Sequence, residues 1–563
     1  MTTIVLLADI GDEGEYHVGD EAMAEAAADE LGARLDLSVV AVSGHPPSTH
    51  ERYGWATVPR LGFGPALSTD ADRDARLAAV LAAAGGDADA VAWDDPAWHL
   101  IRAVIRADGV LISGGGNLSS IWPEHVYERA ALAVIAQILN RPLVVTGQSV
   151  GPLLTPRHGE LVSAALRSAA LVGVRERNSV RFVSRLGVPP ERLVQTIDDA
   201  AFLEGRDAAW EPPASPYVAA TFAPHSGVVD QSSYLGLIGR TIRRTVESTG
   251  LDVVLVPHQG CVLEGARTGD VAFHDAVREA SGAAAGRVRS LPILTARAAA
   301  EVSRQAALVI SSRYHPVVFA LMAGVPAVGV CVDAYTSAKI GGAMDGFGMG
   351  AYALSVVSLV SGDLDTAIAE TWARAAAIRP DLRTTATRRR AESAAWWDAV
   401  AVVLDGGQSP RPDDVTPVPD VASGSWSEAT SAIRTWADTL SLQVDADRYG
   451  AQALQVSVEL LRRQVAELEL ACATLGSDLD EAGEDGQTLR AATRAAHERA
   501  SEALHRLVGR VEAQPTIDAL QAEITALRST RTFRYLALPR RAYSQVLRVT
   551  RRRTPRPRGE IAP

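Results

Sequence analysis

The feature that most constrains this chain is a repeating order along its first 400 residues. A short uninterrupted apolar run is followed by a glycine-rich or polar loop, and then by a stretch with helical spacing. Residues 4–8, 37–42, 110–113, 143–146 and 171–174 are such runs. Residues 20–31 and 126–139 supply helical spacing between them. A strand buried on both faces reads as continuous apolar sequence, whereas a half-exposed strand alternates. Buried strands alternating with helices predict a parallel, doubly wound α/β sheet.

The order breaks at residues 211–216, where Pro212, Pro213 and Pro216 cluster, and then restarts. Residues 217–222, 253–256, 308–311 and 327–332 read as strands, and 238–248 and 317–323 as helices. Residues 363–404 add two closing helices that carry Trp396 and Trp397. The expected fold class is therefore α/β, with two Rossmann-like domains. The first spans residues 1–205 and the second 206–405, with a Gly/Pro/Asp/Ser-rich linker at 406–426.

Beyond the linker the periodicity changes. Leu454, Leu461, Leu468 and Leu475 recur every seven residues, with Val458, Val465 and Cys472 at the alternate seam positions. Three such heptads predict a coiled coil within a helical region at 427–530, and with it a homo-oligomer; a helix packing on its own body is the other reading. Residues 531–563 form a basic amphipathic tail. Eleven arginines and no acidic residue lie between Arg528 and Arg558, although the whole chain carries a net charge of −12. An acidic body does not suit nucleic acid, whereas a basic tail suits an anionic surface.

Composition narrows the setting further. Hydrophobic residues at 47% and charged residues at 22% of 563 describe a globular chain. Three scattered cysteines, Cys261, Cys331 and Cys472, argue against a disulfide framework and for a reducing compartment. Residues 1–14 show no basic leader or small-residue cleavage site, so no signal peptide is expected. Even the apolar stretch 130–146 is broken by Gln137, Asn140 and Arg141, so no transmembrane helix is expected. Of 55 basic residues only Lys339 is lysine. A lysine surviving such a bias points to a place that wants a compact ammonium, with chance survival as the alternative.

The candidate chemistry sits in loops that leave strands, where parallel sheets bind ligands. Asp20 and Glu21, after Gly19, open a helix and either cap it or contact a ligand. Gly114, Gly115 and Gly116 permit close approach of a backbone, with Asn117 and Ser119 beside them. Gln148 and Ser149 can hydrogen-bond sugar hydroxyls or phosphate, or simply form a turn. Arg313 and His315 follow a strand and enter a helix, Lys339 follows the next strand, and His258 leaves a third. Arginine binds carboxylate or phosphate bidentately, and histidine moves protons near neutral pH. Arg, His and Lys at neighbouring strand ends suit a small phosphorylated, carboxylated substrate. No metal-ligand cluster is visible.

These motifs occur in an order that resembles the polysaccharide pyruvyl transferase family over residues 4–360. They are Gly19-Asp20-Glu21-Ala22, Gly114-Gly115-Gly116, Thr146 to Pro152, Val174-Arg175-Glu176 with Ser179, Asp199-Ala200-Ala201-Phe202, Ser312-Arg313-Tyr314-His315, and Ala323-Gly324-Val325-Pro326 with Lys339. The chain departs from the family pattern at His17, Glu176 and Tyr314, where asparagine, aspartate and leucine are usual. The resemblance implies a glycosyltransferase-B-like fold, with two Rossmann-like domains facing across a cleft. It also implies transfer of pyruvate from phosphoenolpyruvate, as a ketal, to two hydroxyls of a cell-surface or cell-wall glycan. Phosphoenolpyruvate is then the donor substrate and no cofactor is expected.

On that reading His315 is the acid/base group, Arg313 and Arg175 are clamps for carboxylate or phosphate, and Lys339 is a second cation. Asp20 and Asp199 are candidates for an acceptor hydroxyl. The tail, with Phe533, Tyr535 and Leu538-Pro539-Arg540, is similar to tails that follow coiled coils in bacterial cell-surface glycosyltransferases. The expected location is cytoplasmic, with peripheral contact at the inner face of the membrane. Two rival functions are a glycosyltransferase that uses a nucleotide sugar, because fold does not fix function, and a non-catalytic coiled-coil scaffold.

Overall fold

A computed structural model describes residues 1–449 except 12–14, 65, 68, 205–210, 212, 214, 228 and 263–265. The heptads and the basic tail lie outside the described residues. Strands in the first half are β1 (Thr2–Ile10), β2 (Tyr16–His17), β3 (Leu37–Ser43), β4 (Ala56–Pro59), β5 (Gly109–Ile112), β6 (Gly115–Leu118), β7 (Leu143–Val150), β8 (Leu171–Val174) and β9 (Leu193–Gln195). The second half adds β10 (Tyr217–Thr221), β11 (Asp252–Leu255), β12 (Gln259–Gly260), β13 (Val288–Ser290), β14 (Leu308–Ser311), β15 (Ala327–Cys331) and β16 (Ala353–Ser355).

The first sheet runs β4-β3-β1-β5-β7-β8-β9, with β6 pairing β7 at its side. The second runs β13-β11-β10-β14-β15-β16. Every pairing in both is parallel. β1 shows why its sequence is uninterrupted. Val5 and Leu7 pack into one core and Ile4 and Leu6 into the other, all four fully buried, so each face of the strand meets apolar side chains. The two halves are clasped by the antiparallel pair β2–β12, His17 opposite Gln259 and Tyr16 opposite Gly260. Val18 N donates to His258 O at 3.0 Å, and Ala296 N donates to the Tyr16 hydroxyl at 2.9 Å.

Two assignments of the sequence reading change here. The closing helix Ala375–Leu404 does not belong to the second half alone, because it crosses back onto the first sheet. Trp396 Nε1 donates to Thr146 Oγ1 at 3.1 Å, and its ring fills the space that Gly173 leaves in β8. Residues 406–426 form a docked strap rather than a free linker. Val415 N donates to Gln195 O at 3.0 Å and Gln195 N donates to Asp414 Oδ1 at 2.7 Å, which covers the open edge of β9. Further along, Val421 N donates to Gly348 O at 2.7 Å and Trp426 is buried against Tyr352. The helix Ser427–Tyr449 then packs on the second half.

Candidate functional site

The loops at the carboxyl ends of β1, β5, β7 and β8 in the first sheet, and of β11, β14 and β15 in the second, come together around His315. This ring lies against the backbone of Gly19, and a side-chain carbon at Gly19 would overlap it. The glycine that opens the helix Val18–Gly32 therefore makes room for the histidine rather than merely turning the chain. His315 Nε2 is buried with no hydrogen-bond partner, 3.8 Å from Asp198 Oδ2. Burial, then Arg175 and Lys339, hold the imidazole well below its ordinary pKa, so it rests neutral. His258 lies near it across Phe319, with Nε2 also unpartnered, and burial and His315 lower it likewise.

Lys339 stands on a π-helical turn, Ser337–Gly341. Its Nζ donates to the Tyr335 hydroxyl at 3.0 Å and lies 5.4 Å from the Tyr314 ring centre. Tyr335 in turn donates to Gly116 O at 2.7 Å. A side-chain carbon at Gly116 would fall within contact of both the ammonium and that hydroxyl. Among the described residues Lys339 makes no ion pair. Single π-turns occur often at functional sites, and this one presents the chain's single lysine to the first-half loop.

The two arginines are more committed than the sequence suggested. Arg175 is buried, donating to Ser149 Oγ at 2.8 Å, to Glu176 Oε1 at 3.0 Å and to Asp198, with its guanidinium 4.3 Å from the Tyr314 ring centre. Only its Nη2 is left without a partner. Arg313 is held by Asp270, through Nε at 3.1 Å and Nη2 at 2.5 Å, and Nη2 also donates to Gln259 at 2.8 Å. Asp270 is fully buried; burial opposes its charge, and Arg313 overcomes that opposition and lowers its pKa. Arg313 thus fixes the His258 loop, because Asp270 also accepts from His258 N at 3.0 Å.

Ser149 Oγ donates a hydrogen bond to Glu176 Oε1 at 2.5 Å and accepts one from Arg175, so it orients those two groups. Gln148 donates to Ser113 O and keeps a buried, unpartnered Oε1. Asp199 accepts from Gly114 N at 3.1 Å and Thr146 Oγ1 at 2.9 Å, packed where Gly114 and Gly147 leave space. Burial first, then Asp198, pushes its carboxyl up to about 8. It pins the Gly114 loop to β7 instead of facing an acceptor. Gly115 packs near Gln148 and Arg129. Asn117 is turned to Asp9.

That last contact exposes a network the sequence did not reveal. Asp9 meets Arg129 Nη2 at 2.5 Å, His125 Nδ1 at 2.7 Å and Arg60 Nη1 at 3.4 Å. Burial opposes its ionisation, and Arg129 and His125 reverse that and hold it well below the carboxylate range. Asp20 feels the opposite balance: burial and the Asp9 charge raise it, against His17 and Lys339. The signals available were an aspartate closing an apolar strand, and His125 with Arg129 four residues apart on one helix face. Among the described residues no group of His, Cys, Asp or Glu converges as a metal cage. A hollow lined by Asp108, Arg141, Arg192 and Asp405 lies at the opposite, amino ends of the first-sheet strands.

The family profile described as polysaccharide pyruvyl transferase matches residues 17–333, more than half the chain. The chain belongs to the polysaccharide pyruvyl transferase family. The matched stretch holds Arg175, His258, Arg313 and His315, while Lys339 lies just past its end. No curated protein matches the sequence. Solved structures similar to it include the S. aureus MnaA–UDP co-structure (11% identity, TM-score 0.45, covering 74% of this chain and 100% of that one). Anabaena HepE in complex with UDP is 15% identical, with a TM-score of 0.40, over 72% of this chain and 98% of its own. UDP-GlcNAc 2-epimerase from Neisseria meningitidis bound to UDP-GlcNAc is 10% identical, with a TM-score of 0.39, over 69% and 94%.

Proposed function

We propose that this pyruvyl transferase family member takes phosphoenolpyruvate as donor and forms a pyruvate ketal on two hydroxyls of a cell-surface or cell-wall glycan. One observation carries the reading: Lys339, with no ion-pair partner among the described residues, stands in the field of a neutral, unpartnered His315. Asp20 and Glu176 feel the Lys339 charge without pairing with it, so a small donor bearing both phosphate and carboxylate supplies the close ion pair, and Arg175 Nη2 offers a further donor beside it. Bound anion also stabilises the imidazolium that forms when His315 accepts a proton.

In the proposed reaction the donor's methylene carbon gains a proton and becomes a methyl group. The neighbouring carbon takes on oxocarbenium character and bonds to the first acceptor oxygen. Phosphate departs with the bridging oxygen, and the second acceptor oxygen closes the ketal. Neutral His315 is assigned to remove the first hydroxyl's proton, and the second hydroxyl's proton leaves on the departing phosphate. Asp20, raised by burial and beside Lys339, is assigned to deliver the methylene proton. The Gly114–Gly116 loop leaves the space that Asp199 and the Lys339–Tyr335 pair fill, and so holds the ammonium at the site.

The heptads and basic tail extend the proposal. Oligomerisation through residues 454–475 and peripheral contact of residues 531–563 with anionic lipid would hold the catalytic body near a lipid-linked acceptor. Among the described residues no helix is long and apolar enough to cross a membrane. The test is incubation with phosphoenolpyruvate and extracted or lipid-linked glycans. Mass spectrometry should find a pyruvate ketal, accompanied by inorganic phosphate. Release of a nucleoside diphosphate from a nucleotide sugar, with phosphoenolpyruvate untouched, would instead establish the glycosyltransferase reading.

A further inference from the structure

The Lys339 turn is gripped from two sides. Tyr335, Tyr314 and Gly116 face its ammonium. The opposite side rests on the helix Ser427–Tyr449, which lies about a hundred residues later and outside the matched family region. Ser337 Oγ, at the start of the π-turn, donates to Asp438 Oδ2 at 2.6 Å. Ala334 N, at the opening of the preceding helical turn, donates to Ser441 Oγ at 3.1 Å. The helix is itself anchored. Arg434 Nη1 donates to Gly350 O at 3.0 Å and Ala353 O at 2.9 Å, and Trp426 at its foot is buried against Tyr352 at 5.2 Å between ring centres.

A π-turn has one residue too many for the α-helical ladder and persists only where its surroundings hold it. Here two of the holding contacts come from the later helix. We propose that Asp438 and Ser441 are positioning residues that set Lys339 through Ser337 and Ala334, so that the C-terminal extension governs affinity for the anionic donor. This rests on the reading of Lys339 as a donor cation. Asp438 also faces Arg434 on its own helix, and Asp333 and Cys331 on the strand end beneath.

The chain's single lysine makes the claim measurable without turnover. Full-length protein labelled with [15N]lysine gives one lysine amide resonance, that of Lys339. Asp438→Ala should move this resonance and raise KM for phosphoenolpyruvate by about 2- to 10-fold, the cost of a displaced hydrogen-bonded group, with kcat nearly unchanged. Asp438→Asn keeps an oxygen acceptor for Ser337 and should restore both. Trp436→Ala, on the exposed side of the same helix, should move neither. In a Lys339→Ala background, Asp438→Ala should add nothing to KM. Ser337→Ala probes the same bond from the other side if Asp438→Ala fails to fold. A resonance that stays in place in Asp438→Ala and Ser337→Ala overturns the proposal. So does a KM penalty that persists without Lys339. If Lys339→Ala binds donor normally, the donor-cation reading fails, while the resonance shift still decides whether the helix sets the turn.

Discussion

Replacing Gly116 with alanine tests the donor cation while leaving the lysine itself in the sequence. The added carbon would sit 2.5 Å from the Tyr335 hydroxyl and 2.8 Å from Lys339 Cε. Ordinary contact between such atoms needs about 3.5 Å, so the side-chain ends must retreat by roughly 1 Å. Overpacking of this kind costs about 1–3 kcal/mol of stability, which leaves the protein folded at 25 °C. A hydrogen bond from a charged group contributes about 1.5–3 kcal/mol, and each 1.4 kcal/mol is tenfold. Losing the ammonium contact should therefore raise KM for phosphoenolpyruvate roughly 10- to 150-fold, with a smaller change in kcat. Lys339→Arg should behave similarly, because a planar guanidinium needs the space Gly116 leaves. Steady-state kinetics with circular dichroism as a folding control decide it. A KM within twofold of wild type in both variants would show that the Lys339 ammonium does not hold the donor.

Other outcomes follow from the same geometry. Burial, Arg175 and Lys339 favour neutral His315, so protonation, and with it loss of the base, comes only as pH falls well below the ordinary histidine pKa. The acid limb of kcat/KM should therefore lie below pH about 6.5, and a limb above that value assigned to His315 would contradict the neutral resting state. Arg313→Ala should lower stability by about 3 kcal/mol, because Asp270 is left buried and unpaired. Chemical denaturation should show Asp270→Asn recovering part of the loss; an unchanged midpoint in Arg313→Ala would return Arg313 to the role of a free donor clamp. Full-length protein should sediment with anionic vesicles at low salt while a chain ending at Leu527 should not, since each basic residue at such a surface contributes about 1 kcal/mol. Equal sedimentation of the two forms would remove the tail from membrane contact.

The inner strands of both parallel sheets were legible because they are uninterrupted apolar runs, as at β5 and β14, whereas the edge strands β4, β9, β13 and β16 are three or four residues long and carry no such run. The cleft loops were legible for the same reason, since each follows such a run. Less was legible of what those loops do to one another. Arg313 meets an aspartate 43 residues away, and Asp9 meets Arg129 across 120 residues. No local pattern encodes such pairs, so committed guanidinium groups read as free ones. The strap resembled a linker because it has no periodicity. Its order comes from the open edge of β9 and from the buried Trp426, features that exist only after folding. Lys339 was visible through composition and through its place after a strand, and the structure adds the space at Gly116 that explains why an ammonium suits the place.

The most direct test of the central claim is acceptor-dependent release of inorganic phosphate from phosphoenolpyruvate, compared in wild type and His315→Ala, with donor affinity measured by calorimetry on both. The account predicts phosphate release in step with ketal formation in wild type. It predicts donor affinity within about twofold in His315→Ala, and turnover slowed roughly 10²- to 10⁴-fold. Wild-type turnover in that variant, or phosphate release indifferent to any glycan, would contradict it.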